Sequence, residues 1–135
     1  MISMQHRIGI IDDDEQVRFA TRVLFEVSGF DVETFGSAEE FLACQDFSRF
    51  ACLIVDFCLP DLNGLELLRE LRERQVLTPA IVSSGYISES EEADFLAAGA
   101  LEVLHKPVEA KLLVSTISNV VTRESLNDSP SREAD

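Results

Sequence analysis

Four short apolar runs in this chain each end next to side chains that can bind a metal ion or a phosphate group. The runs span residues 7–11, 52–55, 80–82 and 101–105, and the groups that follow them are Asp12-Asp13-Asp14, Asp56, Ser83-Ser84 and Lys106-Pro107. Carboxylates are ligands for hard divalent cations, whereas hydroxyl and ammonium groups donate hydrogen bonds to phosphate oxygens. The residue types therefore point to chemistry on a phosphate group beside a metal ion.

Asp56 is the candidate nucleophile of this set. An aspartate carboxylate can attack phosphorus and form a covalent aspartyl-phosphate. Asp12, Asp13 and Asp56 would repel one another without a counter-ion, and Mg²⁺ relieves such repulsion because it binds carboxylates, waters and phosphate oxygens. Lys106 can neutralise a phosphate oxygen, and Ser84 can donate a hydrogen bond in the same pocket.

The distances along the chain between these groups reflect the helices and strands that separate them. The predicted helices span residues 15–28, 37–42, 65–75, 89–98 and 109–123, and a further short strand is predicted at 30–35. Alternating strands and helices indicate a doubly wound α/β fold, (βα)5, with a five-stranded parallel sheet and helices on both faces. Ligands of such sheets bind beyond the carboxyl ends of the strands, so the groups above are expected to meet in one pocket.

Three local features of the helices give testable expectations. Asp14 is predicted to be the N-cap of the first helix. The inward face of that helix is predicted to consist of Val17, Ala20, Val23, Leu24 and Val27. Ser37, followed three residues later by Glu40, has the pattern of a capping box for the second helix.

The composition bounds the number of domains and the classes of partner. The chain has 135 residues, of which 11 are basic and 25 acidic, so its formal net charge is −14 and its length fits one domain. This balance argues against nucleic acid or an anionic membrane as a direct partner, because such binding relies on Lys and Arg. Residues 1–7 lack the apolar segment of a signal peptide, and the longest apolar stretch, 51–55, is too short to span a membrane. A cytoplasmic location is therefore expected.

The end of the chain differs in composition from the rest. From residue 124 onward it consists of Ser, Asn, Asp, Pro and charged residues, with Leu126 as its one large apolar residue. We therefore expect a domain over residues 6–122 and a flexible tail or linker stub over residues 123–135. The sequence leaves open whether the chain is a stand-alone domain or the first part of a longer protein.

Together, the motifs resemble the receiver domain of bacterial two-component response regulators over about residues 6–122. The resemblance is carried by Asp12-Asp13, Asp56, the loop Leu59-Pro60-Asp61-x-Asn63-Gly64, Ser84 and Lys106-Pro107. It implies a flavodoxin-like sheet with strand order 2-1-3-4-5 and a cis Lys106–Pro107 bond. It also implies a phosphorylation switch rather than a turnover enzyme. A sensor histidine kinase or a phosphotransfer protein would donate the phosphoryl group, and the domain would relay the signal to a partner or an output domain.

The resemblance further implies a role for each residue of the pocket. The phosphoacceptor would be Asp56. Mg²⁺ or Mn²⁺ would be bound by three carboxylates and one backbone carbonyl, those of Asp12, Asp13, Asp56 and Cys58. Ser84 would sense the phosphoryl oxygen, and Lys106 would pair with the phosphate. The surface formed by the fourth helix, the fifth strand and the fifth helix would respond to phosphorylation and could form a homodimer.

Two positions depart from the family pattern. The family usually has an aromatic residue three positions before the lysine and another directly after the Lys-Pro pair, where this chain has Val103 and Val108. These changes leave the phosphoryl chemistry intact, but Val103 is expected to alter the coupling between the hydroxyl group and the outer surface, or other residues carry that coupling. Tyr86, two residues after Ser84, is placed either to shield the phosphate from water or simply to pack on the surface.

Two other functions match parts of the pattern. A haloacid-dehalogenase-like phosphatase also forms an aspartyl-phosphate, but its Asp-x-Asp-x-Thr/Val motif would place Gln16 at the last position. A receiver-like module that binds partners without phosphorylation would not need the complete set of acids, hydroxyl group and lysine. The sequence therefore favours the phosphorylation switch over both.

Overall fold

The computed structural model of the protein describes residues 6–127. Within this range, five strands alternate with five α-helices, and a short 3-10 helix (Phe47–Arg49) precedes the third strand. The strands are β1 (Arg7–Ile11), β2 (Asp31–Phe35), β3 (Cys52–Asp56), β4 (Ala80–Ser84) and β5 (Glu102–His105). The helices are α1 (Glu15–Val27), α2 (Ala38–Leu42), α3 (Gly64–Glu73), α4 (Glu89–Ala97) and α5 (Ala110–Asn127).

The strands form one parallel sheet in the order β2-β1-β3-β4-β5, which confirms the predicted fold class and strand order. The order reverses between β1 and β3, which are hydrogen-bonded neighbours although α1, β2 and α2 separate them in sequence. Open α/β sheets bind their ligands at such a switch point, beyond the carboxyl ends of the strands. Asp12 and Asp56 are therefore brought to the same place by the topology.

Two apolar clusters hold helices against the two faces of the sheet. On one face, residues of α2, α3 and α4 form a cluster around Phe41, whose ring centroid lies 5.1, 5.2 and 5.6 Å from those of Phe35, Phe47 and Phe50. On the other face, α5 and Phe25 of α1 cover the sheet. Apolar residues on both faces explain why the central strands β3 and β4 consist almost entirely of apolar residues up to their last positions. Within residues 6–127, no helix is long and apolar enough to cross a membrane.

Of the predicted inward face of α1, Leu24 packs against the core as expected, and the rest of the prediction is wrong. Phe25 is the fully buried residue of this helix, with Leu24 and Thr21 half-buried, whereas Val23 and Val27 are 41% and 82% exposed. Positions 21 and 25 lie one helical turn apart and share a face of the helix. This face was not recognised as the inward one because Thr21 is polar. The polarity of Thr21 alone was therefore enough to shift the predicted inward face of α1.

Several element boundaries differ from those predicted. Asp56 and Ser84 are the last residues of β3 and β4 rather than the first residues after them. The helix α5 ends at Asn127, four residues beyond the predicted end at Arg123, and residues 128–135 of the predicted tail lie outside the described part of the chain. The domain bounds 6–122 and the tail therefore stay predictions.

The helix caps match their predictions in part. Asp14 is the N-cap of α1, and its carboxylate accepts from the backbone N–H groups of Gln16 and Val17. Ser37 caps α2 by accepting from the N–H of Glu40, as predicted. The Glu40 carboxylate, however, accepts from the N–H of Gly36 and not from that of the cap residue.

Candidate functional site

Three carboxylates meet at the switch point of the sheet. Oxygen atoms of Asp12, Asp13 and Asp56 all lie within 4.8 Å of one another. Asp12 directly follows β1, Asp56 ends β3, and both are nearly fully buried, whereas Asp13 is exposed. The cluster is thus set into the protein but remains open to solvent on the side of Asp13.

Lys106 places a positive charge against the buried pair. Its Nζ atom donates to Asp56 Oδ1 at 3.2 Å and to Asp12 Oδ2 at 3.5 Å. The lysine directly follows β5, its backbone N–H donates to the carbonyl oxygen of Ser84 at 2.7 Å, and the Lys106–Pro107 bond is cis, as predicted. Burial alone would lower the pKa of Lys106, but the Asp12 and Asp56 carboxylates outweigh burial and raise it. The ammonium group therefore stays charged at neutral pH.

The carboxylate of Asp56 is held in an unfavourable environment for its charge. Burial raises its pKa above the ordinary value, and the negative charge of Asp12 adds to this effect. Lys106 and the backbone N–H of Cys58 act in the opposite direction without cancelling it. A residue that ends a buried strand and carries a perturbed pKa beside a specific charge partner is a candidate for chemistry.

The loop after β1 is fixed by contacts that orient Asp12. Its Oδ1 atom accepts from the backbone N–H of Asp14 at 2.9 Å. Its carbonyl oxygen accepts from Nη1 of Arg18 at 2.7 Å. The predicted inward face of α1 does not include Arg18, and this contact was missed because nothing in the helical periodicity distinguishes a solvated arginine from one that reaches back to a loop carbonyl.

The loop after β3 is equally constrained. A Cβ atom at Gly64 would lie 2.8 Å from the carbonyl oxygen of Asp56, so a larger residue would force the start of α3 away from the end of β3. Asn63 and Glu66 form a capping box at this helix start. The Asp61 carboxylate accepts from the backbone N–H groups of Ala38 and Glu39 and ties the loop to the start of α2. The residues around Gly64 therefore fix the path of the loop that follows Asp56.

Ser84 and Tyr86 lie at the same end of the sheet but do not join the cluster through their side chains. The buried hydroxyl group of Ser84 donates to the carbonyl oxygen of Tyr86 at 2.8 Å, and the N–H of Tyr86 approaches the same hydroxyl at 3.3 Å. Tyr86 is 83% exposed. Val103 pairs with Val82 in the sheet and packs against the core cluster on the side of α4. Ser84 is thus bound to the backbone of the loop that precedes α4.

The donor set fits a hard divalent cation. Three carboxylates within 4.8 Å of one another face the ammonium group of Lys106, which leaves an excess of negative charge. Mg²⁺ takes about six oxygen ligands and is usually held by one or two carboxylates, with waters and phosphate oxygens completing the set. The oxygen-only donors and the open side at Asp13 suit such an ion. The Cys58 side chain is exposed and lies outside the carboxylate cluster.

The raised pKa of Asp56 predicts that Asp56→Asn stabilises the metal-free protein at neutral pH. Because the pKa of Asp56 is higher in the folded than in the unfolded protein, the folded state binds its proton more tightly and loses stability as the pH rises through the folded-state pKa. The advantage of the Asn variant should be present at neutral pH and shrink as the pH falls towards the ordinary carboxyl pKa of about 4.

Urea unfolding of both proteins in EDTA, at neutral pH and at a pH of about 4, measures this difference. Asp94→Asn, at an exposed position of α4, is the matched control and should leave the stability nearly unchanged. An Asp56→Asn variant that is less stable than the wild type at neutral pH would contradict the prediction.

The fold and the pocket define an α/β protein whose switch-point site is suited to a divalent cation and a phosphoryl group. A family model described as the response regulator receiver domain matches residues 8–118. The transcriptional regulatory protein FixJ of Rhizobium meliloti (strain 1021) is 33% identical over 112 residues, which cover 83% of this chain and 55% of that protein. The response regulator TodT of Pseudomonas putida is 34% identical over 110 residues, or 82% of this chain and 48% of that protein.

A solved structure shows the same similarity. A CheY-like response regulator receiver domain from Methanospirillum hungatei JF-1 has a TM-score of 0.85 and 30% identity, and the match covers 92% of this chain and 99% of that one. The chain therefore belongs to the response regulator receiver domain family, whose members are phosphorylation-switched signalling modules that interact with histidine kinases. It spans about half the length of the curated relatives it matches.

Proposed function

We propose that Asp56 accepts a phosphoryl group from a phosphohistidine of a sensor kinase or phosphotransfer protein. The observation that carries this proposal is the contact of 3.2 Å between the Lys106 ammonium group and the Asp56 carboxylate, inside a cluster of three acids. A carboxylate repels an incoming phosphoryl group, and a fixed positive charge beside it offsets that repulsion. Asp56 also ends the central strand β3, so its backbone position is rigid.

The transfer exchanges one bond to phosphorus for another. A carboxylate oxygen of Asp56 bonds to phosphorus while the phosphorus–nitrogen bond of the phosphohistidine breaks, and the leaving imidazole nitrogen keeps the electron pair and takes up a proton. Lys106 then moves its hydrogen bond from the carboxylate to an oxygen of the phosphoryl group. The product is an acyl phosphate on Asp56, which water later hydrolyses to free phosphate and the original carboxylate.

Mg²⁺ or Mn²⁺ fits the acid cluster as the cofactor of this step. The groups that would hold it are the carboxylates of Asp12, Asp13 and Asp56 and the backbone carbonyl of Cys58. A bound divalent cation supplies positive charge against the phosphoryl oxygens. Asp12 contributes a buried and fixed oxygen to this set, whereas the exposed Asp13 keeps one side accessible.

The signal then passes through the hydroxyl group of Ser84. In the unphosphorylated protein this group donates to the carbonyl oxygen of Tyr86. A phosphoryl oxygen on Asp56 is a stronger acceptor because it is charged, so the hydroxyl group would turn towards it and release the loop before α4. Val103 packs against the core cluster on the side of α4, and we propose that its aliphatic side chain takes part in the relay at the position where the family usually has an aromatic ring.

The surface formed by α4, β5 and α5 is the output of this relay. Its occupant would be a partner protein, an output domain or a second copy of the chain. The formal net charge of −14 disfavours nucleic acid as a partner of this domain, so any contact with DNA would require another part of the protein. The chain would act as a switch that is phosphorylated once per signal and not as a turnover enzyme.

Intact-mass measurement with Mg²⁺ and a small phosphodonor such as acetyl phosphate tests the proposal. The wild type should gain the mass of one phosphoryl group in Mg²⁺ and not in EDTA. Asp56→Asn should gain none, whereas the control Asp94→Asn should be labelled like the wild type. Equal labelling of Asp56→Asn, or no labelling of the wild type, would exclude Asp56 as the acceptor. A separate steady-state assay with a phosphate monoester tests the phosphatase, and many turnovers on that substrate would favour it instead, because formation and hydrolysis of the acyl phosphate on Asp56 already release phosphate from acetyl phosphate.

A further inference from the structure

A cavity of about 420 Å³ adjoins the acid cluster and extends away from it between α1 and the start of α5. Its floor is formed by Ile10 and Ile54 of the sheet, which are 2% and 5% exposed. Its walls are formed by Val17 and Thr21 of α1 on one side and by Val108 and Leu113 on the other. The phosphoryl chemistry uses only the carboxylate end of this space, so the apolar part is left without a role.

The cavity has room for a ligand because the side chains that form its walls are small. Val108 directly follows the Lys106–Pro107 pair and is half-buried, and the residues that face it from α1 are Val17 and Thr21. Ligand-binding cavities typically have volumes of about 300–1,000 Å³, with mostly apolar walls and a few polar groups that fix the orientation of the ligand. The volume and the lining of this cavity fall within that description.

The charged groups of the cavity all lie at one end and are mainly negative. Asp12, Asp56 and Lys106 line that end, and the carboxylate of Asp13 lies within 4.8 Å of the other two. Three carboxylates therefore act against the ammonium group of Lys106, which already contacts two of them. In the metal-free protein this end attracts a cation and repels an anion.

We propose that this cavity binds a small amphipathic cation, with an apolar body about the size of one aromatic ring and an ammonium or amidinium head. The body would lie between Thr21 and Val108, over the isoleucine floor, and the head would contact Asp12 and Asp56. Since the same carboxylates are the metal ligands of the proposed function, such a molecule competes with Mg²⁺. The proposal concerns the unphosphorylated protein and does not depend on whether Asp56 accepts a phosphoryl group.

Nuclear magnetic resonance on ¹⁵N-labelled full-length protein in EDTA, titrated with 2-phenylethylammonium chloride, tests this proposal. The amides of Thr21, Val108 and Leu113 should shift in a saturable way. Ethylammonium, which lacks the ring, and 2-phenylethanol, which lacks the charge, should each bind at least about tenfold more weakly, because each loses one of the two complementary contacts. Added Mg²⁺ should raise the apparent dissociation constant of 2-phenylethylammonium.

Variants separate the cavity from the acid cluster. Val108→Phe fills the space from one wall and Thr21→Leu fills it from the other, so each should weaken 2-phenylethylammonium binding about tenfold or more while Mg²⁺ still binds. Leu112→Phe is the matched control, because this residue of α5 is 48% exposed and does not line the cavity. The proposal is overturned if both filled variants bind the probe like the wild type, if ethylammonium binds equally well, or if no saturable shift occurs.

Discussion

Asp12→Asn is expected to weaken Mg²⁺ binding by at least about ten- to a hundredfold, which is the range found when groups that support a metal site are lost. Asp12 is nearly buried, and its oxygen lies within 4.8 Å of those of Asp13 and Asp56. An amide oxygen in its place carries no full negative charge, so the attraction for a dication falls while the shape of the side chain is kept. Isothermal titration with MgCl₂ measures the change directly.

Asp14→Asn is the matched control for this variant. The two residues belong to the same Asp12-Asp13-Asp14 run, but the Asp14 carboxylate caps α1 by accepting from Gln16 and Val17. Asparagine caps helices about as well as aspartate, so this variant should keep both its stability and its Mg²⁺ affinity. Equal loss of affinity in the two variants would show that only the general acidity of the loop matters and would contradict a site built on Asp12.

The same experiment has a second readout in stability. A ligand that binds only the folded state stabilises it by about 2.7 kcal/mol at a hundred times its dissociation constant. Mg²⁺ should therefore raise the melting temperature of the wild type and of Asp14→Asn, and it should raise that of Asp12→Asn much less. A melting temperature that responds equally in all three proteins would place the metal elsewhere.

The positions of the acids and the lysine could be predicted because they depend on topology alone. In a parallel sheet the carboxyl ends of all strands lie at one edge, and the strand order 2-1-3-4-5 that the resemblance implies places β1 beside β3, so Asp12, Asp56 and Lys106 were expected to come together. The contacts of Lys106 with Asp12 and Asp56 at 3.5 and 3.2 Å agree with that expectation.

Features that depend on packing could not be predicted in this way. The hydrogen bond from Ser84 to the carbonyl oxygen of Tyr86 is set by the path of a loop, and residue types do not specify that path. The face of α1 was wrong because Thr21 looks polar in the sequence although its position is half-buried. The cavity beside Val108 arises from the distance between two helices that are far apart in the chain. The loop path, the burial of Thr21 and the cavity all depend on how neighbouring helices and strands pack against one another.

Lys106→Met is expected to change metal binding and phosphoryl acceptance in opposite directions. Methionine is similar in length but carries no charge, so Asp12 and Asp56 lose the ammonium group with which Mg²⁺ must share them. Mg²⁺ should therefore bind more tightly to the variant than to the wild type. Labelling of Asp56 by a small phosphodonor should nevertheless slow by about a hundred- to a thousandfold, the cost of removing one donor that stabilises a transition state.

This opposition separates an electrostatic role of Lys106 from a merely structural one. If the lysine only held the loop after β5 in place, its removal would disturb the acid cluster, and metal affinity and labelling would fall together. Titration with MgCl₂ and the initial rate of labelling at saturating Mg²⁺ measure the two quantities on the same protein. Lys111→Met, at an exposed position of α5, is the control and should change neither. Because the carboxylates raise the pKa of Lys106, the wild-type ammonium group is charged throughout the neutral range, and the difference should persist at any pH where the protein is folded and Asp56 is ionised.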